Sequence, residues 1–324
     1  MNELPVSTPS DLVGPSTIGA AYLASEGNEA VLAEELSRRG LTISAWHGRL
    51  ALSPEPPAPV LWALDTWTAP ELVACASIGD AAKALRDRQR NWSHFPLLHH
   101  RRSALIVDRL PSVKSAPLVF PAAAPTAPLG AWTLLEPGLL LLSTTKTSPF
   151  PNGIARFVED RIGPPSRAYL KLWEACARLG LWPQPGDTCL DLGATPGGWT
   201  WAIASLGATV MAVDRAPLDP TVASMPGVGF RRESAFGLEP ANEPPVHWLF
   251  SDIIAYPDRL LTLVRRWIEA GTVGRIVCTI KFQDPTDHDA AQAFAAIPGS
   301  RVLHLSHNKH ELTFFWSRPD HDPA

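Results

Sequence analysis

The chain has 324 residues, 45% of them hydrophobic and 19% charged, with a formal net charge of −4. That length accommodates two domains, each with its own core. The mild acidity argues against a protein that coats nucleic acid through a broad basic surface.

At the amino terminus, MNELPVSTPS lacks the basic and apolar regions of a secretory leader. Asn28 to Arg39, closed by Gly40, reads as a helix. Leu41–Trp46, Leu50–Leu52 and Val60–Leu64 read as short strands, with Ser53–Pro59 as a loop. Residues 80–90 read as helix and Ala104–Asp108 as a strand. Pro111 to Pro128 is dense in proline and alanine, which predicts an extended, weakly ordered connector. Ala131–Thr144 predicts a hairpin broken at Pro137 and Gly138. The first half is thus expected to be a small α+β domain over 1–147. Its longest aliphatic cluster, Leu139 to Leu142, is far too short to span a bilayer.

The second half, 148–324, alternates apolar strands with helices. Helix Arg167–Arg178 is followed by strand Asp187–Leu192, a glycine-rich turn and helix Trp199–Leu206. Strands Ala208–Asp214, Val228–Arg232 and Val246–Asp252 come next, then helix Pro257–Ala270, strand Arg275–Lys281 and helix Asp287–Ile297. The closing strands Arg301–Leu305 and Glu311–Ser317 are joined by a link that permits only an antiparallel pair. The expectation is an α/β, doubly wound, mostly parallel sheet with an antiparallel last strand.

Ligands of such sheets bind beyond the carboxyl ends of the strands. The first such end here is Asp191-Leu-Gly-Ala-Thr-Pro-Gly-Gly-Trp199. Gly193, Gly197 and Gly198 admit a sharp turn and a close ligand, Pro196 stiffens the loop, and the helix opening near Trp199 offers free amides. Asp214, 21 residues beyond Gly193, closes the next strand, where a carboxylate suits the ribose hydroxyls of an adenosine. The G-x-x-x-G-G spacing departs from the GxGxxG of dehydrogenases, and the Gly-Lys-Ser/Thr of a phosphate-binding loop is absent.

Four more polar residues are expected at the same rim: Asp252, Lys281 and Glu311 at strand ends, and Lys171 on the preceding helix. Unpaired, a half-buried lysine is costly, so two lysines and two carboxylates are expected to offset one another. A structural salt-bridge cluster would do the same. Moving a methyl from a sulfonium to a sugar hydroxyl demands alignment and loss of a proton. An ordinary lysine, with pKa about 10.4, already carries a proton and cannot accept another, but a nearby second cation and desolvation lower such a value. Lys281 is therefore expected to take or steer the proton, with Asp252 orienting it, Lys171 holding the hydroxyl, and Glu311 positioning the lysines or the ribose.

PSRAYLKL (165–172), DLGATPGGWT (191–200), AVD (212–214), FSDI (250–253), TIKFQ (279–283) and HELTFFW (310–316) together resemble the FtsJ-like family of RNA ribose 2′-O-methyltransferases, and within it the RlmM-type 23S ribosomal RNA cytidine 2′-O-methyltransferases. The resemblance covers about residues 148–317. It implies a Rossmann-like S-adenosylmethionine (SAM)-dependent methyltransferase domain in a cytoplasmic enzyme acting on 23S rRNA or a ribosomal precursor. It maps the family's K-D-K-E tetrad onto Lys171, Asp252, Lys281 and Glu311. It carries SAM contacts to Thr195, Pro196, Gly197, Gly198, Asp214 and Asp252; Gly193 and Trp199 belong to the same loop. Two departures are present: Ser234 stands where RlmM-type enzymes have an aspartate near the adenine, and Ala168 replaces a serine. The first half resembles the family's N-terminal region more weakly, implying a ferredoxin-like piece and a reduced THUMP-like, RNA-recognising part.

Other readings stay open. One is a methyltransferase for another acceptor, although Ser-Asp-Ile-Ile is not the Asn/Asp-Pro-Pro-Tyr/Phe loop of amino-group methylation. Another is a noncatalytic RNA-binding or assembly protein on the same fold. Between Lys83 and Lys114, eight Lys/Arg face two Asp, a local +6 with Trp92 interleaved. This describes either an RNA-tracking groove with Trp92 beside Arg90 as a stacking platform, or a solvated helix face. His304, His307 and His310 are expected as exposed turn residues and no metal site is expected; Arg231–Arg232 and Arg265–Arg266 are expected in solvent. Cys75, Cys176, Cys189 and Cys278, without CxxC spacing, are expected as buried free thiols.

Overall fold

The computed structural model describes residues 18–113, 116–283 and 285–319. The amino-terminal ten residues and Lys114, both used above, lie outside them. The chain divides into two compact units: residues up to 116 with 125–155, and 117–124 with 156 onwards.

In the first unit the order is β1 (Ala20–Ala24), α1 (Glu29–Arg38), β2 (Ala45–His47), β3 (Leu50–Ser53), β4 (Ala63–Trp67), β5 (Pro70–Ala74), α2 (Ile78–Arg88), β6 (Trp92–His94), α3 (His100–Val107), β7 (Gly130–Glu136) and β8 (Leu139–Ser143). Two four-stranded sheets form, β2-β3-β1-β4 and β5-β8-β7-β6. Leu23, Leu50, Leu52 and Trp67 of one share a core with Phe95, Ala131 and Leu141 of the other. Helices α2 and α3 cover the remaining face through Ala82, Leu85 and Ile106 against Trp132, Leu140 and Leu142. Lys146 and Asp65 form a fully buried ion pair at 2.8 Å, and Asp65 also accepts the Ser148 amide.

Three expectations for this half are corrected. Ala104–Asp108 is helical, because Ile106 and Leu110, four apart, must reach the same core while Leu105 and Val107 face out. Strands β1 and β5 went unread, since β1 is buried along its whole length and shows no alternation. Trp92 is no stacking platform: it is buried, and its indole donates to the Leu85 and Gln89 carbonyls. Lys83 pairs with Asp87, Arg88 with Glu71, and Arg86 donates to the Arg109 carbonyl, so the basic residues on α2 itself lie on its exposed face.

The second unit contains α4 (Tyr169–Leu179), β9 (Thr188–Leu192), α5 (Gly198–Ala204), β10 (Thr209–Asp214), α6 (Pro220–Ala223), β11 (Val228–Arg232), β12 (Val246–Ser251), α7 (Pro257–Ala270), β13 (Val273–Lys281), α8 (His288–Ala295), β14 (Ser300–Leu303) and β15 (Glu311–Ser317). Seven strands make one sheet in the order β11-β10-β9-β12-β13-β15-β14, parallel except that β15 runs against both of its neighbours. This is the expected Rossmann-like sheet. Helix α7 shows why such segments are helical: Pro257, Leu260, Leu261, Val264 and Trp267 form one buried stripe, and Gly271 ends it in the left-handed conformation. Strand order reverses between β9 and β12, so their carboxyl ends open a crevice.

Part of the connector proves to be packed. Phe120 stacks on Trp173 at 4.9 Å, and the Ala124 amide donates to the Ala177 carbonyl, because proline-rich chain is extended yet still buries its aromatic groups. All four cysteines are buried free thiols. No helix among the described residues is long and apolar enough to cross a membrane.

Candidate active site

The crevice holds a cleft of about 300 Å³ lined by the β9–α5 loop, Asp191, Asp214, Asp252, Ile254 and Lys281. Every residue of the anticipated cofactor set lines it except Gly197 and Ser234. Gly197 instead turns the chain into α5 at φ +114°. Gly193 sits at φ +76°, and a Cβ there would come within 2.7 Å of the Ile253 Cβ, so the close approach of the two strand ends requires glycine. The Thr195 amide donates to Asp214, and the Thr195 hydroxyl donates to the Ala216 carbonyl, which fixes the loop to the end of β10. The Trp199 ring lies beneath the loop with its indole donating to the Ala168 carbonyl.

A further cavity of about 230 Å³ continues from Gly193, Asp214 and Ile254 to Ser234, where Arg215 approaches the hydroxyl at 3.4 Å and Arg259 stacks on Phe236.

The four tetrad candidates meet. Lys281 ends β13 in register with Glu311, which opens antiparallel β15. The Lys171 ammonium lies 2.8 Å from Asp252 and 3.1 Å from Glu311, and Lys281 lies 3.1 Å from the same Asp252 oxygen while also donating to the Asp252 carbonyl. The result is a chain Lys281–Asp252–Lys171–Glu311 of alternating charge. Burial pulls the Lys171 amine down, but Asp252 and Glu311 outweigh it and hold Lys171 above its ordinary value. Lys171 is therefore a fixed cation.

On the other side of Lys281 opens a larger cavity of about 640 Å³, also walled by Arg167, Lys171, Lys309 and Glu311. The two spaces differ in charge: Asp214 and Asp252 outnumber Lys281 in the first, while cations outnumber Glu311 in the second. Lys281, Ala168 and Ile254 line both.

Several side chains here were not anticipated. Asp191 is fully buried and accepts the Thr200 hydroxyl; burial pushes its carboxyl up to about 7 from an ordinary 3.8. A charge inside the apolar run Thr-Cys-Leu-Asp-Leu was the available signal. Because the folded state holds this proton more tightly than the unfolded state, stability is expected to fall as pH rises from about 4 to about 7 and then level off. Asp191→Asn should remove that slope in melting curves taken between pH 5 and 7.5; an unchanged slope would contradict the assignment.

The histidines differ from expectation. His304 is buried, His307 lies 2.7 Å from Glu174, and the His310 ring meets the Thr286 hydroxyl, because the β14–β15 turn folds onto α4 rather than into solvent. Arg231 pairs with Glu233 and Glu243, and Arg266 with Glu239, while Arg232 and Arg265 are exposed as expected. No group of three or more metal-ligating side chains converges among the described residues.

Residues 164–265 match the family described as FtsJ-like methyltransferase. The chain is 36% identical over 178 residues to the ribosomal RNA large subunit methyltransferase M of Halorhodospira halophila, a match covering 52% of this chain and 51% of that one. It is 35% identical over 185 residues to the same-named protein of Alkalilimnicola ehrlichii, covering 53% and 50%. The chain spans about half the length of these curated relatives.

Proposed function

We propose that this chain, which carries an FtsJ-like methyltransferase domain, is a SAM-dependent RNA methyltransferase that modifies a ribose 2′-hydroxyl, most specifically of a cytidine in 23S ribosomal RNA. The observation that carries the reading is one amine, Lys281, lining both an acidic cleft and a cationic cavity while Asp252 pins it. The acidic cleft suits a donor bearing a sulfonium and an ammonium, and Asp214 at the end of β10 suits the hydroxyls of its ribose. The cationic cavity suits a polyanion. When bound, SAM supplies the methyl group.

The residues of the chain do the rest. Asp252 holds Lys281 at the boundary of the two cavities, where the amine takes or steers the proton of the 2′-hydroxyl. Lys171, a fixed cation, holds the hydroxyl oxygen and the charge that grows on it. Glu311 keeps Lys171 in place. Ser234 stands at the adenine end of the donor cleft. The first unit is read as the RNA-recognising part and the cytoplasm as the place of action. Mapping 2′-O-methyl groups in rRNA from cells with and without this protein tests the reading: one ribose methylation should disappear, and an unchanged map would refute it.

A further inference from the structure

Helix α4 does more than carry Lys171. One turn later it places Glu174 under the β14–β15 turn, fully buried. Its carboxylate accepts Arg178 at 2.9 Å, the Ser306 amide and hydroxyl at 3.0 and 2.7 Å, the His307 amide at 3.1 Å, and the His307 Nδ1–H at 2.7 Å. Burial alone would raise this acid, but Arg178 and His307 override it and hold it ionised, at about 2. A buried, ionised carboxylate must receive its hydrogen bonds, so Nδ1 of His307 is a donor and the ring is locked in one orientation. With that edge fixed inward, the rest of the ring is what His307 offers to the 640 Å³ cavity, which it lines together with Lys309 and the tetrad lysines.

None of the tetrad's interactions uses this imidazole. A ring that gives its Nδ1–H to a deep carboxylate can donate outward only when Nε2 is protonated as well, and an anion on each side, Glu174 within and a phosphate without, favours that doubly protonated ring. We propose that His307, positioned by Glu174, is a further RNA-contacting residue that binds the acceptor strand as an imidazolium, its second proton, on Nε2, donated to a phosphate oxygen beside the target ribose. The contact rests on the RNA methyltransferase reading above. It adds a grip on the backbone, and Glu174 acts through it as a positioning residue.

The test compares wild type with His307→Gln, which keeps an amide for Glu174, and with His307→Lys, which keeps a cation. Turnover is measured on a protein-free 23S rRNA transcript, binding on a fluorescein-labelled oligocytidylate 12-mer across a salt series, and folding by calorimetric affinity for S-adenosylhomocysteine, whose cleft His307 does not line. H307Q should raise KM for rRNA about tenfold with kcat within about twofold, as expected for one charge-assisted hydrogen bond. Its log Kd against log salt should be shallower by about 0.7, and H307K should keep the wild-type slope. H307Q with wild-type KM and slope overturns the proposal, as does a fall in kcat at constant KM. If H307Q loses S-adenosylhomocysteine affinity, H307K decides alone: an unchanged slope supports the contact and a shallower one overturns it. A wild type that binds the 12-mer through His307 yet methylates no rRNA would instead overturn the proposed function.

Discussion

Lys281→Ala is expected to lower methyl transfer to rRNA by about 10³-fold or more while leaving S-adenosylhomocysteine affinity within a few-fold of wild type. The amine lines both the acidic cleft and the cationic cavity, held by both the carboxylate and the carbonyl of Asp252. Removing it takes away the group proposed to handle the hydroxyl proton, but the β9–α5 loop and Asp214, which line the acidic cleft, are untouched. Rapid-quench turnover with labelled SAM, set beside calorimetric binding, separates the two effects. Turnover near wild type would mean that the proton leaves by another route.

The largest effect on stability is expected in the first unit, at the Asp65–Lys146 pair. Both side chains are removed from water, and Lys146 also donates to the Ser148 and Phe150 carbonyls. Asp65→Ala strands the ammonium and the Ser148 amide in a medium that solvates neither. The cost should be about 3–5 kcal/mol, which displaces the urea midpoint of the affected transition by roughly 1–3 M. Asp65→Leu combined with Lys146→Met should recover much of that loss, because an apolar pair carries no desolvation penalty. A single variant within about 1 kcal/mol of wild type would show that water reaches the site.

Much of the second unit was legible in the sequence for one physical reason: strands buried on both faces must be apolar, so a charge at a strand end stands out. Asp252, Lys281 and Glu311 were readable in that way, and the short link before Glu311 fixed the sense of β15 and brought its first residue to the same rim. Glu174 was not readable. An acidic residue in a helix ordinarily faces water, and only the turn that closes over it, 132 residues on, makes it a buried anchor. The same reasoning applies to His307, whose neighbours in sequence describe an ordinary turn. In the first unit, Ala104–Asp108 was too short to separate helix from strand by periodicity, and the answer came from what Ile106 and Leu110 pack against. Composition identified an extended connector, but nothing in proline and alanine foretold that Phe120 would find Trp173.

The basic stretch around α2 holds a related lesson. Its charge was read as either an RNA groove or a solvated helix face, and the partners Asp87 and Glu71 favour the second. The cationic surface that matters to the proposed reaction is instead the cavity around Arg167, Lys171, Lys281 and Lys309, drawn from distant parts of the chain. Net charge says little about such a site.

Two amines and two carboxylates at the rim of this sheet are proposed to direct a methyl group onto a sugar oxygen of RNA. Incubating the protein with 23S rRNA and SAM carrying a deuterated methyl, then digesting to nucleosides for mass spectrometry, tests that proposal most directly. The label should appear in 2′-O-methylcytidine, on the ribose fragment. Label on a base fragment, or rRNA that stays unlabelled, would contradict it.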